Sequence, residues 1–193
     1  MIIGSHNSWS YLPPKKFWMK LIKFTAKCQS LNIKEQYKLG VRCFDLRVRF
    51  NKDKIAKIYH GIIEYNYSPI ELYEDLSWLN KQSDKVYIRI LHEVRNKKNY
   101  TIDSINSFID FIELVKFRFP KLIFWCGRNL YNWEKDYDFG EDPTCDEKYA
   151  SVCSPKLIDD WIPWWFAFRN NKKIVKEGTD KDILLIDFVE YVH

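Results

Sequence analysis

Two histidines and two charged residues are the first side chains in this sequence that could do chemistry together. His6 follows a short apolar start, and His60 lies in a second apolar stretch. Asp45 and Arg47 are two residues apart in a segment otherwise rich in apolar residues, so in a strand they share one face. An imidazole titrates near neutral pH, and two of them can act as base and acid in one reaction. Ionised side chains on a buried face are costly unless paired or solvated, so this cluster indicates a site.

A predicted β-hairpin relates these residues to one another. The segment that ends at Phe50 alternates as a strand does, a polar turn follows, and the residues from Ile55 supply the returning strand. If Phe50 faces Ile55, then Asp45 stands directly opposite His60. The alternative is that Asp45, Arg47 and His60 form a purely structural network.

Asp187 adds a carboxylate near the end of the chain. It interrupts the apolar run 183–189, which predicts a last buried strand. A buried carboxylate needs a partner, and a histidine at the same edge of a barrel would supply one. The alternative is that Asp187 forms a cap or turn at the strand end.

Strand patterns alternate with helix patterns along the chain, which predicts an α/β fold. Strands are predicted at 2–3, 41–50, 55–63, 86–91, 122–126 and 183–189, and helices at 15–27, 68–80, 102–119 and 154–169. The 193 residues show no dividing linker and fall short of the ~250 residues of an ordinary (β/α)8 barrel. We therefore predict one domain over 1–193 with a distorted or abbreviated TIM (β/α) barrel. A doubly wound sheet is the alternative.

Composition narrows the class of protein. The hydrophobic content of 46% supports a sizeable core, and no apolar run approaches the roughly 18 residues that cross a bilayer. The first residues lack the pattern of a secretory signal, which predicts a cytoplasmic or peripheral membrane location. The five cysteines form no CxxC pair and are expected to be reduced. We expect a monomer.

Basic residues are concentrated near the start of the chain, which favours an anionic partner. In the first fifty residues only Glu35 and Asp45 oppose the lysines and arginines. Segment 15–27 is predicted to be a basic amphipathic helix that docks on anionic membrane, as lysines attract the surface and aromatic rings enter it. The docking residues are predicted to be Trp9, Trp18, Lys16 and Lys20. The alternatives are an ordinary packed helix and a nucleic-acid binder, although no nucleic-acid motif accompanies the charge.

An ordered set of short motifs carries a resemblance to a known family. The chain resembles the X-domain of phosphatidylinositol-specific phospholipase C, and is closer to the metal-independent bacterial type. The resemblance rests on Gly4-Ser5-His6-Asn7-Ser8, Cys28-Gln29, Gln36, Gly40-Val41-Arg42-Cys43-Phe44-Asp45-Leu46-Arg47-Val48, Tyr59-His60-Gly61 and Ile186-Asp187-Phe188.

The resemblance implies a distorted TIM barrel that cleaves a phosphodiester by attack of an internal hydroxyl. It implies that His6 takes the proton from the inositol 2-hydroxyl and that His60 protonates the leaving diacylglycerol oxygen. Arg47 would hold the phosphoryl oxygens in place of a metal, and Asp45 and Asp187 would support the site. No cofactor and no metal are expected.

The resemblance also implies residues that contact substrate, namely Asn7, Glu93 and Arg89. Asn7 stands where bacterial relatives carry an aspartate, and Leu91 stands where a polar residue is usual. The function implied is a phosphodiesterase acting on phosphatidylinositol or a related phosphodiester through a cyclic phosphate. The alternative is a weakly active or inactive phospholipase C-like module that binds phospholipid membranes.

Overall fold

The structure is a computed structural model, and it describes seven stretches of the chain. These are residues 1–50, 54–94, 101–130, 137–138, 149–152, 162–178 and 182–192. They fall into two compact units, the first formed by Met1–Asp45 with Asp146–His193 and the second by Leu46–Cys145. Within the described residues, no helix is long and apolar enough to cross a membrane.

Strands and helices alternate along the described residues, as the sequence predicts. The strands are β1 (Ile2–Ser5), β2 (Cys43–Phe50), β3 (Ala56–His60), β4 (Ile63–Glu64), β5 (Val86–Val94), β6 (Leu122–Leu130), β7 (Tyr137–Asp138), β8 (Tyr149–Val152) and β9 (Ile183–Ile186). The α-helices are α1 (Ile33–Lys38), α2 (Pro69–Asn80), α3 (Ile102–Arg118) and α4 (Pro163–Glu177). Short 3-10 helices cover Phe17–Leu21, Lys23–Thr25 and Val189–Val192.

The first unit is built on parallel strands in the order β2, β1, β9, β8. Strand β9 is buried along its whole length, which explains its unbroken apolar sequence. Ser5 pairs with Phe44 of β2 on one side and with Ile186 of β9 on the other. The residues that follow Ser5 and Ile186 therefore leave the sheet at the same edge.

Gly4 allows β1 to lie close to both neighbouring strands. An added Cβ would lie 2.5 Å from Leu185 Cδ2 and 3.0 Å from Cys43 Cβ, which is closer than carbon atoms pack. Gly4→Ala should therefore destabilise the fold by about 1–3 kcal/mol, the usual cost of overpacking, measured by urea unfolding. In a Leu185→Ala background the same substitution should cost less. Equal costs in both backgrounds would contradict this explanation.

The second unit combines β2, β5, β6 and β7 in that order, with β3 paired to β2 and β4 paired to β3. Strands β5 and β6 run parallel from the Val86–Leu122 pair to the Val94–Leu130 pair. Helix α2 begins with the predicted capping box, in which the Ser68 and Glu71 side chains each bond the other's backbone N–H. Its buried face consists of Leu72, Leu76 and Leu79.

The hairpin register predicted from the sequence is wrong by one residue. In the structure Phe50 pairs with Ala56 and Val48 pairs with Ile58, so one more residue lies in the turn than expected. The predicted alignment of Asp45 opposite His60 fails with it, because antiparallel partners change with every shift in register. The number of residues in the turn sets the register, and the polar residues 51–54 do not determine that number.

The predicted strands 2–3, 41–50, 86–91 and 122–126 and the predicted helices 68–80 and 102–119 are present, with ends that differ by up to four residues. The predicted strand 55–63 is instead two antiparallel strands, β3 and β4, joined by a turn at Gly61, and the predicted strand 183–189 ends at Ile186. Helix α1 and strands β7 and β8 were not predicted.

The largest difference concerns segment 15–27. That segment forms two short 3-10 helices separated by Ile22 rather than one amphipathic α-helix. Neither has a side-chain cap, and β-branched Ile22 and Thr25 do not favour continuous helix. The predicted start of the last helix, 154–161, lies outside the described residues. Cys28 and Cys43 are buried and form no disulfide bond, as expected for reduced thiols.

Candidate active site

His6 and Asp187 form a hydrogen-bonded pair at one edge of the first unit. His6 follows β1, Asp187 follows β9, and the His6 backbone N–H bonds the Ile186 carbonyl at 2.9 Å. The His6 Nδ1 atom lies 2.7 Å from Asp187 Oδ1, and both residues are buried. An ionised carboxylate only accepts hydrogen bonds, so this contact favours a proton on Nδ1 and makes Nε2 the basic nitrogen. The predicted partnership of Asp187 with His6 is present.

Asp45 lies near the other nitrogen of the same imidazole. Its Oδ2 atom is 3.9 Å from His6 Nε2 and accepts a 2.9 Å hydrogen bond from the Asn7 backbone N–H. Asp45 is fully buried, and its backbone is tied to Ser8 through two hydrogen bonds. When Nε2 takes a proton, a carboxylate at this distance stabilises the resulting imidazolium.

Two glutamines hold the loop that carries His6. Gln29 Nε2 donates to the His6 carbonyl at 3.0 Å and to the Ile186 carbonyl at 2.9 Å. Gln36 Nε2 donates to the Ser8 carbonyl at 2.8 Å. Both side chains are fully buried. They bond the loop carbonyls of His6 and Ser8, and Gln29 also joins the loop to the end of β9, which fixes the orientation of His6.

Asn7 is a buried residue whose carboxamide makes no hydrogen bond within the described part of the chain. It is fully buried and adopts a positive φ of 45°, which asparagine tolerates better than most residues. Neither polar atom of its carboxamide has a hydrogen-bond partner within the described part of the chain. A buried polar group without a partner costs about 1–3 kcal/mol, so a ligand that bonded this amide would recover that cost.

The second unit contains a separate cluster around Glu93. Its carboxylate accepts a hydrogen bond from the Gly61 backbone N–H at 2.6 Å and lies 3.4 Å from Arg47 Nη1. Arg49 donates from Nε to the Glu93 carbonyl at 2.7 Å and from Nη2 to the Gly61 carbonyl at 2.9 Å. These contacts tie the end of β3, where the half-buried His60 lies, to β5.

Two of the residues predicted to contact substrate, Glu93 and Arg89, lie in this second unit. Glu93 is buried and engaged with the protein's own groups, and Arg89 is also buried. Arg49 was not predicted, although it continues the two-residue spacing from Asp45 through Arg47 and so could have been found from the strand pattern. It also stacks over Tyr59, with its guanidinium carbon 4.1 Å from the ring centroid.

The predicted membrane-docking residues do not all lie at the surface. Trp9 is completely buried, so its assignment to docking is wrong. In the loop after β1, the Ser10 N–H bonds the Asn7 carbonyl and the Leu12 N–H bonds the Trp9 carbonyl. These bonds turn the loop inward and place the Trp9 ring in the interior. Trp18 is 50% exposed, and Lys16 and Lys20 are exposed, as predicted.

The surface around Trp18 combines apolar and basic groups. Phe17, Leu21 and Phe24 are also exposed in the two 3-10 helices, and Lys20 lies over the Phe17 ring at 5.3 Å. Burial and the neighbouring charge of Lys27 lower the pKa of Lys23 to about 8, so this segment loses one positive charge as pH rises through that value.

Similar proteins are found among curated sequences and among solved structures. No family model matches the chain. Two curated relatives are the 1-phosphatidylinositol phosphodiesterases of Staphylococcus aureus strains Newman and NCTC 8325 / PS 47, each 29% identical over 107 residues, which is 53% of this chain. The match covers 30% and 29% of those relatives, so it spans less than a third of their length.

Solved structures of similar fold are bacterial phosphatidylinositol-specific phospholipases C. The enzyme of Listeria monocytogenes is 17% identical, with 99% of this chain and 89% of that chain covered and a TM-score of 0.65. A double mutant of the Staphylococcus aureus enzyme is 15% identical, with 97% and 84% covered and a TM-score of 0.66. A further Staphylococcus aureus structure, concerned with modulation of membrane binding, is 15% identical, with 97% and 85% covered and a TM-score of 0.59.

The class of fold is thereby established as the α/β fold of the bacterial phosphatidylinositol-specific phospholipases C, a distorted TIM barrel, as predicted. The curated matches and the fold together confirm the resemblance to the phosphatidylinositol-specific phospholipase C family.

Proposed function

We propose that this protein is a phosphodiesterase that cleaves phosphatidylinositol or a related phosphodiester lipid. The observation that carries the proposal is the 2.7 Å contact between His6 Nδ1 and Asp187 Oδ1. A histidine oriented by a buried carboxylate is the usual form of a general base. The similarity to 1-phosphatidylinositol phosphodiesterases supplies the substrate class.

The proposed reaction is an internal displacement at phosphorus. His6 Nε2 takes the proton of the inositol 2-hydroxyl, and the oxygen attacks the phosphorus. The bond from phosphorus to the diacylglycerol oxygen breaks, and His60 gives that oxygen a proton. The products are a cyclic inositol phosphate and diacylglycerol. Each proton transfer is expected to contribute about 10²–10⁴-fold to the rate.

Arg47 is proposed to stabilise the negative charge that develops on the phosphoryl oxygens. A guanidinium is permanently charged and presents several donors in a fixed plane, so it can do this without a metal. Glu93 lies 3.4 Å from Arg47 and would keep the guanidinium in position between turnovers. We therefore assign Glu93 a positioning role alongside the substrate-binding role that the resemblance implies.

Asn7, Asp45 and Arg89 complete the proposed set of residues. The Asn7 carboxamide is proposed to bond the substrate, which would satisfy its buried polar atoms. Asp45 would stabilise the protonated form of His6 from 3.9 Å. Arg89 remains a proposed substrate contact on the strength of the family resemblance.

Release of head group from lipid vesicles tests the proposal. The protein should release water-soluble inositol phosphate and leave diacylglycerol in vesicles that contain phosphatidylinositol. Vesicles of phosphatidylcholine alone serve as the control and should yield no soluble phosphate ester. Absence of release from phosphatidylinositol vesicles would contradict the proposal.

The second candidate is a module that binds phospholipid membranes without turning over lipid. The exposed apolar and basic groups around Trp18 favour membrane contact whether or not catalysis occurs. Co-sedimentation with phosphatidylinositol vesicles in the absence of any head-group release would support this candidate instead.

Trp18→Ala should weaken binding to anionic vesicles by more than it slows cleavage of a soluble substrate. The reason is that the half-exposed indole would enter the membrane interface, whereas a soluble phosphodiester needs no interface. Phe117→Ala is a matched control, because Phe117 is an exposed aromatic flanked by Lys116 and Arg118 in the second unit. Sedimentation and hydrolysis assays measure both effects. Equal losses in binding and cleavage for Trp18→Ala would indicate a folding defect instead.

A further inference from the structure

A buried thiol lies beside the His6–Asp187 pair in the first unit. The Cys28 Sγ atom, a ring nitrogen of His6 and a carboxylate oxygen of Asp187 all lie within 4.8 Å of one another. Cys28 is only 1% exposed. We propose that these three side chains bind a thiophilic divalent cation, with Zn²⁺ as the best fit.

The ligand atoms are close enough together for zinc to bind all three after modest side-chain shifts. Zinc binds thiolate sulfur at about 2.3 Å and nitrogen or oxygen at about 2.0–2.2 Å, so neighbouring ligand atoms of a tetrahedral site lie about 3.3–3.8 Å apart. The three atoms lie within 4.8 Å of one another, and the 2.7 Å hydrogen bond between His6 Nδ1 and Asp187 Oδ1 would lengthen as the metal binds. Three protein ligands leave a fourth position for water in a tetrahedral zinc site.

The ligand charges also suit a dication in a buried place. The Cys28 thiolate and the Asp187 carboxylate each contribute one negative charge, and the imidazole of His6 is neutral when it binds a metal. The sum cancels the two positive charges of zinc, so no net charge is buried. Binding displaces the thiol proton to water. Calcium and magnesium prefer oxygen ligands, and a thiolate with an imidazole selects against them.

The three ligands are held by backbone contacts that already exist. The Cys28 N–H donates to Ser10 Oγ at 2.9 Å, and the Cys28 carbonyl accepts from the Phe188 N–H at 2.6 Å. Gln29, next to Cys28, bonds the carbonyl of His6. The Cys28 thiol makes a long contact of 3.6 Å with the Ala26 carbonyl, which a metal bond would replace. Because the backbones of the ligands are fixed in advance, metal binding requires movement of the side chains alone.

The binding proposal does not depend on the proposed function, but one consequence does. A metal and a proton compete for the same imidazole, so zinc should inhibit the phosphodiesterase activity if His6 is the base.

Metal titration of the protein tests the site. Zinc affinity is measured by competition with a chromogenic chelator, and Co²⁺ serves as a spectroscopic substitute. Wild-type protein should bind cobalt with a near-ultraviolet charge-transfer band from thiolate to metal. Cys28→Ala should abolish that band and weaken zinc binding at least about tenfold. Cys43→Ala is the matched control, since Cys43 is also a buried thiol outside any disulfide, and this variant should bind zinc as the wild type does. Circular dichroism verifies the fold of each variant.

The outcomes separate the two proposals. Zinc binding that survives Cys28→Ala in a folded protein, or cobalt binding without a thiolate band, would overturn the metal site. Absence of zinc binding to wild-type protein would overturn it as well. Zinc binding that depends on Cys28 but leaves lipid cleavage unchanged would support the site and contradict the base role of His6.

Discussion

His6→Ala is expected to reduce cleavage of phosphatidylinositol by about 10²–10⁴-fold while the fold remains intact. The reason is the loss of the nitrogen that would take the hydroxyl proton, together with the imidazole that Asp187 orients at 2.7 Å. His60→Ala should cause a loss in the same range, because the leaving oxygen would depart without a proton. The measurement is the initial rate of head-group release, with thermal unfolding as the check on folding.

His92→Gln is a suitable control for both histidine variants. His92 is buried against Phe108, with 5.0 Å between ring centroids, and the proposed mechanism gives it no role. This variant should retain most of the activity. Near-wild-type activity in a folded His6→Ala or His60→Ala protein would contradict the role of that histidine.

Arg47→Ala should remove most of the activity, by about 10²–10³-fold, and calcium should not restore it. The guanidinium is proposed to perform the task that a metal ion performs in other phosphodiesterases, so wild-type activity should survive a strong chelator. Calcium also requires six to eight oxygen ligands, whereas the proposed site residues include three carboxylates, those of Asp45, Glu93 and Asp187. Rates measured with chelator, with added calcium and with neither separate these effects.

Two further variants sharpen this test. Arg47→Lys should recover part of the loss, because it keeps the charge but not the planar set of donors. Arg42→Ala removes a cation that stacks over Tyr37 at 3.9 Å and should leave the rate nearly unchanged. Abolition of wild-type activity by chelator with recovery on adding calcium would contradict metal-independent catalysis.

The sequence predicted the parts of this fold that depend on local pattern. Helix α2 follows from the capping box at Ser68 and Glu71 and from the leucines that it buries. Strand β9 follows from its unbroken apolar run. The pairing of His6 with Asp187 was predicted because a carboxylate in that apolar run needs a partner, and parallel strands bring both residues to one edge.

The features that were not predicted from the sequence depend on the length of one turn or on contacts between residues far apart in the chain. The hairpin register depends on one residue in the turn. The burial of Trp9 depends on how the loop after β1 folds back, which its neighbours in sequence do not determine. The approach of Cys28 to His6 arises from backbone contacts between segments far apart in the chain, and a lone cysteine in the sequence gave no sign of it.

Phosphorus NMR of the protein with phosphatidylinositol vesicles tests the central claim most directly. The proposed attack of the inositol 2-hydroxyl on phosphorus predicts the resonance of a cyclic inositol phosphate, which should grow with time and be absent with His6→Ala. A folded wild-type protein that yields no phosphorus product, or a first product that is an acyclic phosphate monoester, would contradict the account.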